Sequence, residues 1–411
     1  MKKYQPLSVI RYGSLDEYEK EYQMRLASHS TYHTNLEIHP IERGIRLAPT
    51  YSLFVVNNNE LTMLQEYIMD NANMINKLSD RLPEAAKKQF YNKVLTDEIM
   101  STNEMEGVRS TRKEVGDAIK VVTLNKKENS RFKGIVNLYY SLYYESFQPI
   151  NNVKEIRDIY DTLVSEEIEE KNKLDGELFR VEGVEVHGNR GVVHIGNHTE
   201  ESIMTDLRKF ISFLNAKDIP FLIKIMLAHY FFEYIHPFYD GNGRTGRYIT
   251  CRYLAQKLDP LTAISFSHMI SDTKNKYYDA FVITSNKHNM GEGTMFVYHM
   301  LKIVYEGQLK LLEELNNSSD LLENSWGMIT AYDFENELDT NILYILCQSW
   351  IFKTELMDKE FELHVNATRY KVNQSLDRLS VGGYIKQITK RPSAHIISDE
   401  LAQKMMVHQT R

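Results

Sequence analysis

Cysteine is nearly absent from this chain. Cys251 and Cys347 lie far apart in helix-like apolar patterns, so they offer neither a disulfide framework nor a metal-ligand spacing. That usage fits a reducing compartment. No large surplus of one charge sign exists either: 49 Lys and Arg against 56 Asp and Glu leave a net charge of −7. Such mild acidity gives no global pull toward nucleic acid or anionic membrane, so any such site must be local. Long hydrophobic runs are also missing. The most apolar segment, Phe221 to Ile235, carries Lys224, His229 and Glu233 and is too short and too charged to span a bilayer. The start has no apolar stretch of the kind a secretion signal needs, and a soluble, cytoplasmic protein without membrane contact is expected. Repeats and low-complexity tracts are lacking, and 42% apolar with 26% charged residues argues against wholesale disorder.

What remains is a chain of 411 residues, long enough for two or three domains. Residues 1–58 read as an irregular arm with a few short strands, closed by Asn57-Asn58-Asn59. Helical periodicity begins near Glu60 and recurs over Ala85–Met100, Thr111–Leu124, Lys133–Glu145, Val153–Ser165 and Glu200–Leu214. The stretch Lys171–His198 is glycine-rich and contains the alternating run Val192-Val193-His194-Ile195, which reads as a hairpin. Asp218 and Pro220 suit the start of a helix reaching Ile235. Asn316 to Asp320 reads as a linker or a helix end.

One stretch carries chemistry: His236-Pro237-Phe238-Tyr239-Asp240-Gly241-Asn242-Gly243-Arg244-Thr245-Gly246-Arg247. Pro237 disfavours helix in the residue before it, which places His236 at a helix terminus. Glycines feeding a new helix form a concavity of backbone N–H groups that suits an anion. Arg244 and Arg247, three residues apart, can reach one face of that helix, and together they suggest a polyphosphate. Asp240, the one carboxylate of the loop, suits Mg²⁺ beside phosphates. His236 is the side chain that titrates near neutrality and so is the candidate general base. The residues alone therefore point to phosphoryl or nucleotidyl transfer. A plain hairpin turn is the bland alternative, but the flanks read as helices. No Gly-Lys-Ser/Thr follows, which excludes a P-loop, and the spacing of an EF-hand is absent.

The stretch resembles the signature of Fic domains, His-x-Phe-x-(Asp/Glu)-Gly-Asn-Gly-Arg-x-x-Arg, at every fixed position. The resemblance extends over roughly residues 60–310 and implies transfer of AMP from ATP to a hydroxyl of a target protein. It implies that His236 takes the hydroxyl proton and Asp240 holds Mg²⁺ against the α- and β-phosphates. Asn242 and the backbone of Gly241 and Gly243 would cradle those phosphates, Arg244 and Arg247 the β- and γ-phosphates, while Phe238 anchors the loop in the core. Upstream, Thr102-Asn103-Glu104-Met105-Glu106-Gly107 resembles the family's inhibitory motif, (Ser/Thr)-x-x-x-Glu-(Gly/Asn). Glu106 would then pair with Arg247 and turn ATP into an unproductive pose, with Thr102 and Gly107 completing the motif on a helix of about residues 91–107. In some members the same glutamate also assists removal of AMP. Val192, Val193, His194 and Ile195 fall where the family places its target-docking flap.

The expected fold is mainly α: an arm over residues 1–58, a Fic helical core with a β-hairpin flap over 59–315, and a winged helix-turn-helix unit over 330–411. In the last, Asn366 would cap a helix presenting Thr368, Arg369, Lys371 and Gln374, with Lys390 and Arg391 at a wing tip. Residues 341–411 carry a net +3 and the remainder −10, which permits DNA binding without requiring it. The partners this reading names are ATP, a target protein, the chain itself as a target, DNA, and a second copy as a homodimer. The rival readings are a nucleotide-sensing DNA-binding transcriptional regulator and a Fic enzyme that transfers UMP, phosphate or phosphocholine. Zinc on His187, His194 and His198 is disfavoured by their spacing.

Overall fold

The computed structural model describes residues 4–128, 130–164, 167–188, 191–354 and 356–407. It is mainly helical, with four separate two-stranded antiparallel sheets among the described residues. By internal packing the chain divides into two units, one of residues up to 72 with 95–308, the other of 73–94 with residues from 309 on.

The first unit opens with two helices, α1 (Leu7–Gly13) and α2 (Leu15–Ala27), where the sequence suggests an irregular arm. Their periodicity is faint because Leu7 and Arg25 are all they bury. Polar anchors hold them instead. Ser14 caps α2 by accepting from the Glu17 N–H at 3.2 Å. The Arg25 guanidinium pairs with the buried Glu292 at 2.8 Å and lies 4.2 Å from the Tyr4 ring centre. Tyr4 donates its hydroxyl to the same carboxylate. The strands β1 (Thr31–Ile38) and β4 (Tyr51–Val56) pair antiparallel and flank a small hairpin, β2 (Ile41–Glu42) and β3 (Ile45–Arg46).

Helices α3 (Asn59–Arg81) and α4 (Glu84–Met105) follow, then α5 (Arg112–Thr123), α6 (Lys133–Tyr144) and α7 (Val153–Val164). Thr111 and Glu114 form a reciprocal capping box at the start of α5. The glycine-rich stretch yields the hairpin β5 (Glu185–Gly188) and β6 (Gly191–Ile195). Then come α8 (Glu200–Asn215), α9 (Phe221–Ile235) and α10 (Asn242–Leu254). Apart from Phe221 and Glu233, every residue of α9 is buried, Lys224 and His229 among them, as a helix with apolar residues on every face demands, and it forms the centre of this unit. It begins at Phe221 with Pro220 at the cap position, and Asp218 does not cap it. Short helices α11 (Pro260–Ile264), α12 (Phe266–Ser271) and α13 (Lys274–Ser285) lead to α14 (Thr294–Thr330).

Asn316 to Asp320 lie within α14 and do not end it. Buried Leu311, Leu312, Leu315, Ser318 and Leu322 keep the helical stripe running through the polar residues. The second unit contains the end of α3, the start of α4, the end of α14, α15 (Glu337–Ile351), α16 (Arg369–Val381), the hairpin β7 (Ile385–Lys390) and β8 (Ser393–Ile397), and α17 (Asp399–Val407). Its core joins Ile342, Leu346, Val372, Leu376, Ile385 and Leu401. Thr368, not Asn366, stands at the N-cap of α16, without a side-chain cap.

Candidate functional site

The loop between α9 and α10 is built by the residue types the chain places there. His236 ends α9 with a left-handed backbone, φ 52°, and Gly241 opens α10 with φ 79°. Gly241 is required twice over: its φ favours glycine, and a Cβ would crowd Val164 and Tyr160 at 3.2–3.3 Å. Phe238 is fully buried and stacks on Tyr160 with ring centres 3.8 Å apart. Asn242 closes the loop on itself, accepting from the Phe238 N–H at 2.9 Å and donating to the Phe238 carbonyl at 2.7 Å. Its amide is thus engaged in shaping the loop, and the cradle is left to backbone. Asp240 is half-buried and accepts from the Gly241 N–H at 2.6 Å.

His236 lies with Nδ1 3.2 Å from the Glu233 carbonyl. A carbonyl only accepts, so Nδ1 carries the proton and Nε2 keeps its lone pair. Burial, opposed by that hydrogen bond and aided by Arg180, pushes the imidazole down to about 4. The ring is therefore neutral at physiological pH, the state a proton acceptor needs. His194, on the flap strand β6, lies beside it with ring centres 6.3 Å apart and donates Nε2–H to the Tyr234 carbonyl at 2.8 Å. Burial and the neighbouring His236 lower it to about 3.

Arg247 is buried, and two of its three nitrogens are engaged. Nε and Nη2 reach the Thr102 hydroxyl at 3.2 and 3.0 Å, and Nη2 reaches Glu106 at 2.8 Å. Glu106 comes from the C-terminal end of α4, where Gly107 takes φ 73°. A Cβ on Gly243 would stand 2.2 Å from the Glu106 carboxylate, so that carboxylate lies directly on the first turn of α10. An intramolecular anion thus occupies the place where the helix N-terminus would receive a bound one. Thr102 and Glu106 share a stripe with Glu98, four residues earlier, which accepts from the Tyr139 hydroxyl and the His268 N–H, both at 3.0 Å. Burial raises Glu98 to about 7 and the neighbouring Glu233 to about 8. The ion pair with Arg247 is made by Glu106. Arg244, also buried, donates Nη1 to Glu167.

The sequence gives no hint of Arg180. This buried guanidinium donates to the carbonyls of His236 at 2.9 Å, Asn197 at 2.7 Å and Ile235 at 3.4 Å, and to Glu182. It ties the base of the flap to the end of α9 and holds His236 in its left-handed conformation. Gly196 leaves the room for it, since a Cβ there would meet Arg180 at 2.6 Å and His236 at 2.9 Å. Burial lowers its pKa to about 10, still fully charged at neutral pH. Arg180→Ala strips several acceptors at once and should cost about 3 kcal/mol of stability, read as a lower urea midpoint. Arg180→Lys should recover only part, because an ammonium cannot fan out to the same carbonyls.

On the flap, Val192 and His194 turn inward, Ile195 is half-buried, and Val193 is 40% exposed. Gly44, between β2 and β3, packs on Val192, where a Cβ would lie 2.9 Å from the valine Cβ. In the second unit, Arg369, Lys371 and Gln374 are exposed on α16, and Lys390 and Arg391 are exposed at the end of the β7–β8 hairpin. None of these five belongs to the unit that holds the loop. No cluster of three or more His, Cys, Asp or Glu fit to hold a metal occurs among the described residues. No helix among them is long and apolar enough to cross a membrane.

A helical unit with a hairpin flap and a glycine-rich anion loop between two helices defines the class of site. Residues 150–254 match the model of the Fic/DOC family. The chain is 28% identical over 163 residues to a protein adenylyltransferase Fic from Aedes aegypti. That match covers 38% of this chain and 31% of the relative, so the similarity spans about a third of the relative's length. Among solved structures it is similar to a Fic family protein from Desulfovibrio desulfuricans G20, with TM-score 0.46 and 15% identity, covering 81% of this chain and 96% of that one. A Fic domain-containing signalling protein from Bacteroides thetaiotaomicron gives TM-score 0.43 at 15% identity, covering 62% and 95%.

Proposed function

We propose that the chain transfers AMP from ATP to a hydroxyl of a target protein and that Glu106 restrains the reaction. The observation that carries this reading is the carboxylate of Glu106 seated on Gly243 and Arg247 at the mouth of the glycine loop. A carboxylate in that place stands where a phosphate would bind. When it withdraws, the N–H groups at the start of α10 and both arginines face a triphosphate. In the reaction, the target oxygen bonds to the α-phosphorus as the bond to pyrophosphate breaks. Nε2 of His236 takes the hydroxyl proton.

Asp240 fits Mg²⁺ of the kind that arrives with a nucleotide. One half-buried carboxylate, with no further acidic cluster beside it among the described residues, cannot cage a metal but can add a ligand to one bound by phosphates. When bound, the ion would draw charge from the phosphate oxygens as the leaving group forms.

The test separates the donors. The Glu106→Gly chain, incubated with Mg²⁺ and ATP labelled at the α- or the γ-phosphate, should label protein from the α-phosphate alone. Label from the γ-phosphate alone would mean phosphate transfer and would replace this reading. A second activity is supported by the exposed Arg369, Lys371, Gln374, Lys390 and Arg391, a set suited to duplex DNA. Such binding should weaken steeply between 50 and 200 mM salt, by roughly tenfold or more for a few phosphate contacts, in a gel-shift titration.

A further inference from the structure

The two arginines of the loop are treated differently. Arg247 spends Nε and Nη2 on Thr102 and Glu106, so it is masked. Arg244 gives a single nitrogen, Nη1, to Glu167, while its buried Nε has no partner. On the far side Arg131 Nη2 lies 3.3 Å from the other oxygen of Glu167, an ion pair that leaves that buried oxygen without a hydrogen bond. Arg131 is steadied in turn by Glu114 at 3.4 Å and by the Phe132 ring 4.3 Å away. A carboxylate bonded to one guanidinium and attracted by a second is a post that orients the first without covering it. Only 2% of the Arg244 side chain is exposed, and its unpaired Nε marks a site that is complete only when an anion arrives.

We infer that Glu167, braced by Arg131, is a positioning residue that aims Arg244 at the phosphates of the incoming nucleotide. This inference rests on the nucleotide-transfer reading above and assigns Arg244 the first contact, available even while Arg247 is masked. Glu167 does not act as a second brake. Each carboxylate takes one nitrogen of its arginine, but Glu106 lies on the first turn of α10 in the place of a bound anion, whereas Glu167 leaves the Arg244 Nε without a partner.

The test uses the full chain carrying Glu106→Gly, so that turnover is measurable. Glu167→Gln, Glu167→Asp and Arg244→Lys are added singly, and Glu167→Gln is also combined with Arg244→Lys. MgATP affinity is measured by calorimetry, and KM and kcat from label transfer. Glu167→Gln should raise Kd and KM together by about 5- to 20-fold, in the range of neighbours sharing one ion-pair network, with kcat within about threefold. Glu167→Asp should restore part of the affinity, and in the Arg244→Lys background Glu167→Gln should change little. A fall in kcat and melting temperature that is the same with Arg244 or Arg244→Lys would mark a merely structural residue and would overturn the inference. MgATP bound equally or more tightly by Glu167→Gln would overturn the inference alone. No MgATP binding by the Glu106→Gly chain with Glu167 intact would overturn it together with the reading it rests on.

Discussion

Replacing His236 by alanine in the Glu106→Gly chain should lower AMP transfer by about 10²–10⁴-fold, the usual contribution of a positioned base. Little stability should be lost, because the ring is half-buried and contributes one hydrogen bond, to the Glu233 carbonyl. MgATP affinity should be kept, since the cradle and the arginines remain. The pH dependence gives a second handle on the same residue. A lowered pKa means that protonation disables the base only at low pH. With His236 near 4, kcat/KM should stay flat from about pH 6 to 8 and fall below about pH 5. A histidine with an ordinary pKa would already lose half of its activity near pH 6.5.

Glu106→Gly should raise transfer by roughly 10- to 150-fold, as expected if a charge-assisted hydrogen bond of about 1.5–3 kcal/mol must be broken in every productive complex. The same substitution should weaken the apo protein. Arg247 stays buried and loses the carboxylate it is hydrogen-bonded to. Loss of a partner from a largely buried pair costs about 3 kcal/mol or more. MgATP supplies the missing negative charge. The thermal shift on adding MgATP should therefore be larger for Glu106→Gly than for the wild-type chain, a linkage effect visible by scanning calorimetry. Glu106→Gln keeps the shape and a weaker hydrogen bond, and should fall between the two in both measurements.

The loop was legible because its chemistry is contiguous. His236, Asp240, three glycines and two arginines fall within one short stretch, and the left-handed Gly241 and the end of α9 at His236 follow from local rules. Thr102 and Glu106 were legible only because the resemblance supplies their partner, and the structure brings both to Arg247. Arg180 and Glu167 were not. Each acts through atoms far away in the chain, Arg180 through main-chain carbonyls that carry no residue signature, and Glu167 as one acidic residue in an acidic run. The helices α1 and α2 escaped the hydrophobic pattern because a buried Arg25–Glu292 pair, not an apolar stripe, fastens them. Asn316 to Asp320 misled in the opposite way: their composition signals a break, yet the leucines on either side hold the helix together. Asn242 shows a finer distinction, for its type and position were plain while its bonds to Phe238 were not.

The central claim is that one carboxylate restrains a transfer for which His236 is the base. The most direct measurement incubates the wild-type chain, Glu106→Gly, and Glu106→Gly with His236→Ala, each with α-³²P-ATP and Mg²⁺, and separates them on a denaturing gel. The account predicts faint label on the wild type, strong label on Glu106→Gly, and none once His236 is also replaced. Equal label on the wild type and Glu106→Gly, or label that survives His236→Ala, would contradict it.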